Sequence, residues 1–288
     1  LVNRPFLTYY DYDRGLHHTY SYAEFGRAVR QTADFLYDRV GLRHGDRLAT
    51  ILFNHDMTVV LYFAAWVLGI TVVPINVEEP PDKKRFILEH SEASAVCCWH
   101  SYLEEVNDLR SHVPLLHHVI PMNDEGFLGD SRHAPNGKEE TGARTARVTP
   151  HASGLADEAL IVYTSGTTGP PKGVVLTAEN LLTDADAITE WHGFDTDDRL
   201  MCVLPIHHVN GTVVTLITPF YCKGSVVLAR KFKSTTFWRK LHEEQVTGVS
   251  VVPTLLEFLL DQRGRARVTG GLPVIREVLA LEALAADL

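Results

Sequence analysis

The chain has 288 residues, 45% of them hydrophobic, and can therefore bury a large core as one large or two medium domains. Its formal net charge of −9 argues against a general affinity for nucleic acid or anionic membranes. We expect neither a spanning helix nor a secretion signal, because no apolar run approaches ~20 residues and the start lacks a charged-then-apolar pattern. The adjacent Cys97 and Cys98 lie in an apolar run and are interpreted as buried core thiols, which favours a reducing cytoplasm.

Helical and strand patterns alternate in the first part of the chain. Ser21 and Glu24 have the spacing of a capping box, and apolar residues at helical spacing continue to about Tyr37. The alternation that follows predicts a parallel α/β sheet. Its predicted elements are a strand at 47–53, a helix at 56–68 stopped by Gly69, a strand at 71–74, a helix at 81–90 and a strand at 95–99.

Residues 123–157 are polar, with scattered glycine, proline and charge and no hydrophobic period. This composition predicts a mobile surface connection between lobe one, about 1–122, and lobe two, about 158–288. A plain linker is the simpler interpretation of the same residues.

Lobe two resumes the alternation, so the whole chain is predicted to be an α/β protein of mostly parallel sheets flanked by helices. A helix at 179–191 has Thr177 as a candidate cap. The other predicted elements are strands at 159–164, 174–176, 200–204, 225–228 and 249–252, and helices at 212–221, 234–244 and 254–261.

The loop between the first two of these strands is rich in hydrogen-bond donors. Residues 161–173 read IVYTSGTTGPPKG, a strand-like stretch that opens into a hydroxyl- and glycine-rich loop. The donors are the hydroxyls of Thr164, Ser165, Thr167 and Thr168, backbone N–H groups freed by Gly166 and Gly169, and the ammonium of Lys172. Such donors suit a polyphosphate, and we interpret the loop as a binding site for ATP. A P-loop does not fit, because Gly173 rather than Ser or Thr follows the lysine; the alternative is an exposed turn.

This run resembles the signature Y-T-S-G-T-T-G-x-P-K-G of the adenylate-forming (AMP-binding) superfamily, which contains acyl-CoA synthetases, luciferases and peptide-synthetase adenylation domains. Residues 205–211, PIHHVNG, are similar to the family pattern P-x-x-x-H-x-x-G. The resemblance implies that His208 is a catalytic-site residue bordering the acyl pocket and the adenylate. His207 stands where many members carry an aromatic residue, and Asn76 favours the acyl-CoA synthetase group.

The chain also departs from the family. Ala178 replaces a common histidine, and Leu281 follows the strand 276–280 where a small Gly/Ala turn is expected. The Y-G-x-T-E segment, a ribose-binding aspartate, the hinge and the small C-terminal domain with its lysine are not in the sequence. We therefore expect a truncated, two-lobed N-terminal core of an adenylate-forming enzyme, without its C-terminal domain.

The resemblance implies ATP-dependent activation of a carboxylic acid as an acyl-adenylate, followed by thioester formation with coenzyme A. ATP, Mg²⁺ and coenzyme A are the implied cofactors, and no metal-ligating residue is predicted in this chain. The acid is left open, with fatty and aromatic acids both considered. The alternatives are a non-catalytic nucleotide-binding or interaction module and an adenylation domain that loads a carrier protein.

Overall fold

The computed structural model describes residues 1–127, 154–164, 170–262 and 277–280. The strands in these ranges are β1 (Pro5–Asp11), β2 (Leu16–Ser21), β3 (Arg47–Ile51), β4 (Thr71–Pro74), β5 (Ala95–Trp99), β6 (His118–Asn123), β7 (Gly126–Phe127), β8 (Glu158–Thr164), β9 (Lys172–Thr177), β10 (Arg199–Cys202), β11 (Ser225–Ala229), β12 (Gly248–Val251) and β13 (Glu277–Ala280). The helices are α1 (Tyr22–Phe35), α2 (Asp56–Val67), α3 (Pro81–His90), α4 (Leu103–Arg110), α5 (Ala178–His192), α6 (Thr218–Tyr221), α7 (Ser234–Glu243) and α8 (Pro253–Gln262).

Short π-helical and 3₁₀ segments adjoin three of these helices. Residues Leu36–Val40 continue α1 as a π-helical turn, and His100–Tyr102 form a 3₁₀ turn before α4. Asn210–Ile217 are π-helical and lead into α6, so the helix predicted at 212–221 exists in two parts.

The chain folds into two compact units, each assembled from separate stretches of sequence. Unit 1 contains residues 1–23, 54–56 and 181–288, and unit 2 contains residues 24–53 and 57–180.

The sheet of unit 2 has seven strands in the order β7-β6-β5-β3-β4-β8-β9. Neighbouring strands from β6 to β8 run parallel, whereas the edge strands β7 and β9 are antiparallel to their neighbours. Strands β4 and β5 are buried along their whole length, as the continuous apolar runs of a sheet covered on both faces require. The parallel α/β architecture expected from the sequence is confirmed.

The sheet of unit 1 has six strands in the order β13-β12-β10-β11-β1-β2. All of them run parallel except β2, which forms a hairpin with β1. Phe237 and Leu241 of α7 pack against Met201, Val227 and Val249 in the core of this unit. Because five strands run parallel, the carboxyl ends of β1, β10, β11, β12 and β13 meet at one edge.

The two units divide the chain differently from the predicted lobes. The sequence pattern assigned the strand at 159–164 to lobe two, but β8 pairs with β4 through Val72 and Leu160 in the sheet of unit 2. Conversely, β1 joins β11 in unit 1, with Leu7 opposite Val226. Sheet membership depends on partners distant in sequence, which local patterns do not reveal.

Part of the predicted connection is ordered secondary structure. Gly126–Phe127 form β7 on β6, and Phe127 is buried. Residues 128–153 lie outside the described residues.

The predicted core thiols are confirmed. Cys97 and Cys98 are fully buried on β5, and burial raises the pKa of both thiols. None of the helices in the described ranges is both long and apolar enough to cross a membrane.

Candidate functional site

The donor-rich loop joins β8 to β9, and the structure describes its two ends. Thr164, the last residue of β8, is directly opposite Lys172, the first residue of β9. Both side chains are exposed. The hydroxyl and the ammonium that begin and end the predicted phosphate site are thus brought together by the hairpin register. The remaining predicted donors, Ser165, Gly166, Thr167, Thr168 and Gly169, lie outside the described residues.

The pair that precedes these ends holds the hairpin closed. Tyr163 lies opposite Gly173, and a Cβ atom built on Gly173 would be only 3.1 Å from Cζ of Tyr163. The tyrosine ring therefore packs over the glycine, an arrangement that compensates for a glycine in a strand. The Tyr163 hydroxyl also forms a 2.8 Å hydrogen bond with Nδ1 of His90 on α3. The tyrosine and the last glycine of the YTSGTTGPPKG run thus have a structural role at the base of the loop.

The rest of β8 is anchored in unit 2. Leu160 and Ile161 are buried, and Trp66 donates from Nε1 to the carbonyl of Ala159 over 2.8 Å. Thr71 on β4 donates to the carbonyl of Glu158 over 3.0 Å. The loop therefore leaves a buried strand whose position is fixed by its neighbours.

The other end of β9 leads into α5 through a reciprocal cap. The Thr177 hydroxyl accepts from the Asn180 N–H over 3.2 Å, and Asn180 Oδ1 accepts from the Thr177 N–H over 2.9 Å. This is the geometry of a capping box with asparagine in place of glutamate or glutamine. The predicted cap at Thr177 is confirmed, and the change to Ala178 leaves it intact.

His208 lies in unit 1, in the turn that follows β10. We call residues 204–211 the histidine turn. Its backbone is folded back on itself, with the His208 N–H donating to the Pro205 carbonyl over 3.1 Å. A Cβ atom on Gly211 would fall on the Pro205 carbonyl group, 2.9 Å from its carbon. The glycine of the P-x-x-x-H-x-x-G pattern is therefore needed because two backbone segments meet there.

His207 is half-buried beside His208, their ring centroids 4.3 Å apart. Burial, with a smaller contribution from His208, lowers the pKa of His207 from 6.5 to about 4. Its Nε2 is buried and has no hydrogen-bond partner among the described residues. His207 is thus a neutral imidazole at physiological pH.

Sequence reasoning missed Asn54, which contacts the start of the histidine turn. Its buried carboxamide donates to the carbonyls of Leu204 and Ala229 and accepts from the Ile206 N–H. The only local signal is an asparagine soon after the buried strand β3.

Next to Asn54, a buried carboxylate lies between two imidazoles. Asp56 hydrogen-bonds to Nδ1 of His18 over 2.9 Å and to Nδ1 of His55 over 2.8 Å. Burial tends to raise the pKa of Asp56, but the two histidine hydrogen bonds outweigh it and hold that pKa well below its usual range. Asp56 is therefore ionised in the folded protein at neutral pH.

Comparison with known proteins agrees with these motifs. The AMP-binding enzyme family matches residues 2–286. The chain belongs to this family. Sulfoacetate–CoA ligase of Cupriavidus necator is 33% identical over 235 residues, which cover 80% of this chain and 44% of that protein. Crotonobetaine/carnitine–CoA ligase of Salmonella paratyphi B is 28% identical over 86% of this chain and 48% of that protein.

Solved structures of AMP-binding enzymes share the fold. The crystal structure of ATP-bound MatB from Rhodopseudomonas palustris superposes with a TM-score of 0.77 at 25% identity, covering 96% of this chain and 50% of that one. O-succinylbenzoate coenzyme A synthetase from Bacillus subtilis in complex with AMP gives the same TM-score and identity, with 64% of that chain covered. The resemblance predicted from the sequence, to the N-terminal part of the acyl-CoA synthetase type, is confirmed. The chain spans about half the length of the curated relatives it matches.

One cavity of this AMP-binding enzyme lies away from these motifs. It has a volume of about 410 Å³ and is lined by Arg4, Pro5, Arg199 and Ser225, among others. These residues stand at the amino ends of β1, β10 and β11. The histidine turn leaves the carboxyl end of β10, so this cavity is not part of the candidate site.

No group of three His, Cys, Asp or Glu side chains is placed to hold a metal ion within the described ranges.

Proposed function

We propose that this chain is the part of an acid–CoA ligase that holds the phosphates of ATP and borders the acid. The single observation that carries this proposal is the register of the β8–β9 hairpin, which sets Thr164 opposite Lys172 at the ends of the family's phosphate signature. The proposed reaction is attack of the acid's carboxylate on the α-phosphate, with loss of pyrophosphate. The coenzyme A thiol, losing its proton, then attacks the acyl carbon of the adenylate, which forms the thioester and releases AMP. The chain spans about half the length of its relatives, so we propose the complete reaction for the whole enzyme and not for this chain alone.

In this proposal the loop acts by positioning and electrostatics. The Lys172 ammonium and the hydroxyls of Thr164, Ser165, Thr167 and Thr168 bind the β- and γ-phosphates, together with backbone N–H groups at Gly166 and Gly169. Negative charge grows on the leaving pyrophosphate, so fixed donors there stabilise the transition state. Mg²⁺ enters as the counter-ion that ATP carries, without a ligand assigned from this chain.

His208 is the proposed residue on the acid side. It lies at the carboxyl edge of a parallel sheet, where ligands of α/β proteins bind. The two curated relatives named above are ligases of sulfoacetate and of crotonobetaine or carnitine. O-succinylbenzoate is an aromatic acid, but its synthetase is less similar in sequence, at 25% identity. The more similar relatives therefore favour a short, polar acid over a fatty or aromatic one.

The test is ATP binding by isothermal titration calorimetry with the variant Lys172→Gln. Loss of one charge-assisted hydrogen bond of about 1.5–3 kcal/mol predicts a dissociation constant roughly 10- to 100-fold higher. Lys223→Gln is the matched control, because Lys223 is also exposed and the variant removes the same charge. Equal affinities for ATP in the wild type and Lys172→Gln, with both proteins folded, would refute the phosphate assignment.

A second measurement separates the ligase from the alternative functions. ATP–pyrophosphate exchange stimulated by a short polar acid supports adenylate formation. ATP binding without exchange for any acid supports a nucleotide-binding module, and transfer to a carrier protein instead of coenzyme A supports a loading domain.

A further inference from the structure

Asn54 connects two neighbouring strand ends in unit 1. Its side chain is 7% exposed. Nδ2 donates to the Leu204 carbonyl over 2.9 Å and to the Ala229 carbonyl over 3.1 Å, and Oδ1 accepts from the Ile206 N–H over 2.9 Å. A single planar amide therefore satisfies two buried acceptors and one buried donor.

These backbone groups lie where the ladder between β10 and β11 ends. The last pair of that ladder is Cys202 with Leu228, and beyond it the chain turns away from the sheet. A buried backbone group without a hydrogen-bond partner is destabilising, so the exit of the chain from β10 depends on a substitute partner. Asn54 supplies that partner on both strands at once.

The contact with Ile206 reaches the histidine turn directly. Ile206 precedes His207 and His208, and its carbonyl accepts from the Thr212 hydroxyl. The His208 carbonyl in turn accepts from the Thr212 N–H over 3.0 Å. A chain of hydrogen bonds therefore connects Asn54, through Ile206 and Thr212, to the backbone on both sides of His208.

We propose that Asn54 is a positioning residue that sets the orientation of the histidine turn and thereby of His208. The inference rests on the proposed function, in which His208 borders the acid. Asn54 itself touches no reacting atom. It acts by fixing the distance between the carboxyl ends of β10 and β11.

The test follows the His208 ring by NMR in the full 288-residue chain. Asn54→Asp keeps the size of the side chain but removes both donors and places an oxygen against two carbonyls, whereas Asn54→Ser keeps one hydroxyl donor. The proposal predicts that the His208 Cε1–H resonance, assigned by His208→Gln, moves by more than its linewidth in both variants. The displacement is larger in Asn54→Asp, and the resonance of His192 stays in place as an internal reference.

Asn123→Asp is the matched control. Asn123 Oδ1 accepts from the Glu125 N–H, and an aspartate keeps that acceptor, so the His208 resonance is expected to remain unchanged. A folded Asn54→Asp or Asn54→Ser protein with the wild-type His208 resonance would overturn the proposal, even if its melting temperature fell.

A measurement on the wild-type chain covers the case in which neither variant folds. Both Nδ2 protons of Asn54 should exchange with solvent at least about tenfold more slowly than those of Asn123, because their release needs a local opening. Equal exchange rates would contradict the proposal. None of these measurements depends on ATP binding, so a chain that passes them but binds ATP equally well with and without Lys172 refutes only the proposed function.

Discussion

Gly211 illustrates how tightly the histidine turn is built. Its Cα faces the Pro205 carbonyl group across the turn, with no room for a side chain. The contact is backbone against backbone, so neither side can yield as a flexible side chain would.

Gly211→Ala should therefore lower the free energy of unfolding by about 1–3 kcal/mol, the usual cost of overpacking. Urea denaturation measures the change. Gly26→Ala is the control, because Gly26 lies inside α1 and its Cβ would meet only Arg30, at 3.5 Å. That substitution should stabilise the protein by roughly 0.5–1 kcal/mol through helix propensity. Losses of equal size in both variants would show that the close approach at Pro205 is not the cause.

Among the elements, the passage from β9 into α5 depends on one reciprocal cap. Thr177 and Asn180 satisfy N–H groups that the first turn of a helix leaves without partners. The cap also fixes where the β8–β9 hairpin ends.

Thr177→Ala removes the hydroxyl that accepts from the Asn180 N–H and should cost about 0.5–2 kcal/mol of stability. Thr183→Ala, at an exposed position within α5, is the matched control and should change stability by less than about 0.5 kcal/mol. Thermal unfolding followed by far-ultraviolet circular dichroism compares the two. If Thr177→Ala is as stable as Thr183→Ala, the cap does not contribute to stability.

For the whole molecule, two buried groups predict acid sensitivity in separate pH ranges. The pKa of His207 falls from 6.5 to about 4 on folding, so between these values the unfolded chain binds a proton that the folded chain does not. Stability is therefore lost as the pH drops from about 6.5 towards about 4. The pKa of Asp56 is also lowered, so its contribution is complete above its ordinary value of 3.8 and is lost as the pH falls below that value.

Urea denaturation between pH 7.5 and 3, in steps of about half a unit, resolves the two ranges. His207→Phe should remove the loss of stability between pH 6.5 and 4 and keep the loss below pH 3.8. Asp56→Asn should remove the loss below pH 3.8, keep the loss at higher pH, and be less stable than the wild type at neutral pH. A wild-type profile that stays flat between pH 6.5 and 4 would contradict the assignment to His207.

Features of the fold that depend on neighbouring residues could be predicted from the sequence, whereas features that depend on distant partners could not. The strand predicted at 71–74 is identical to β4, because a short β-branched run between Gly69 and Pro74 suffices to define a buried strand. β1 escaped prediction, since six of its seven positions are buried and no alternation marks it. In the site, β9 begins at Lys172, two residues before the strand predicted at 174–176, whereas the hairpin end at Thr164 follows from the local pattern. Asn54 does not, because its carbonyl partners are 150 and 175 positions away.

The interleaved composition of unit 1 also sets the order in which the chain can fold during its synthesis. β1 leaves the ribosome about 220 residues before its parallel partner β11. At roughly 5–20 residues per second, the β1–β2 hairpin waits on the order of 10–40 s for that partner. Throughout this interval the apolar residues of β1, including Phe6, Leu7 and Tyr9, lack the sheet that later buries them. The nascent chain is thus exposed to aggregation at β1 during this interval, and slowing translation lengthens that exposure.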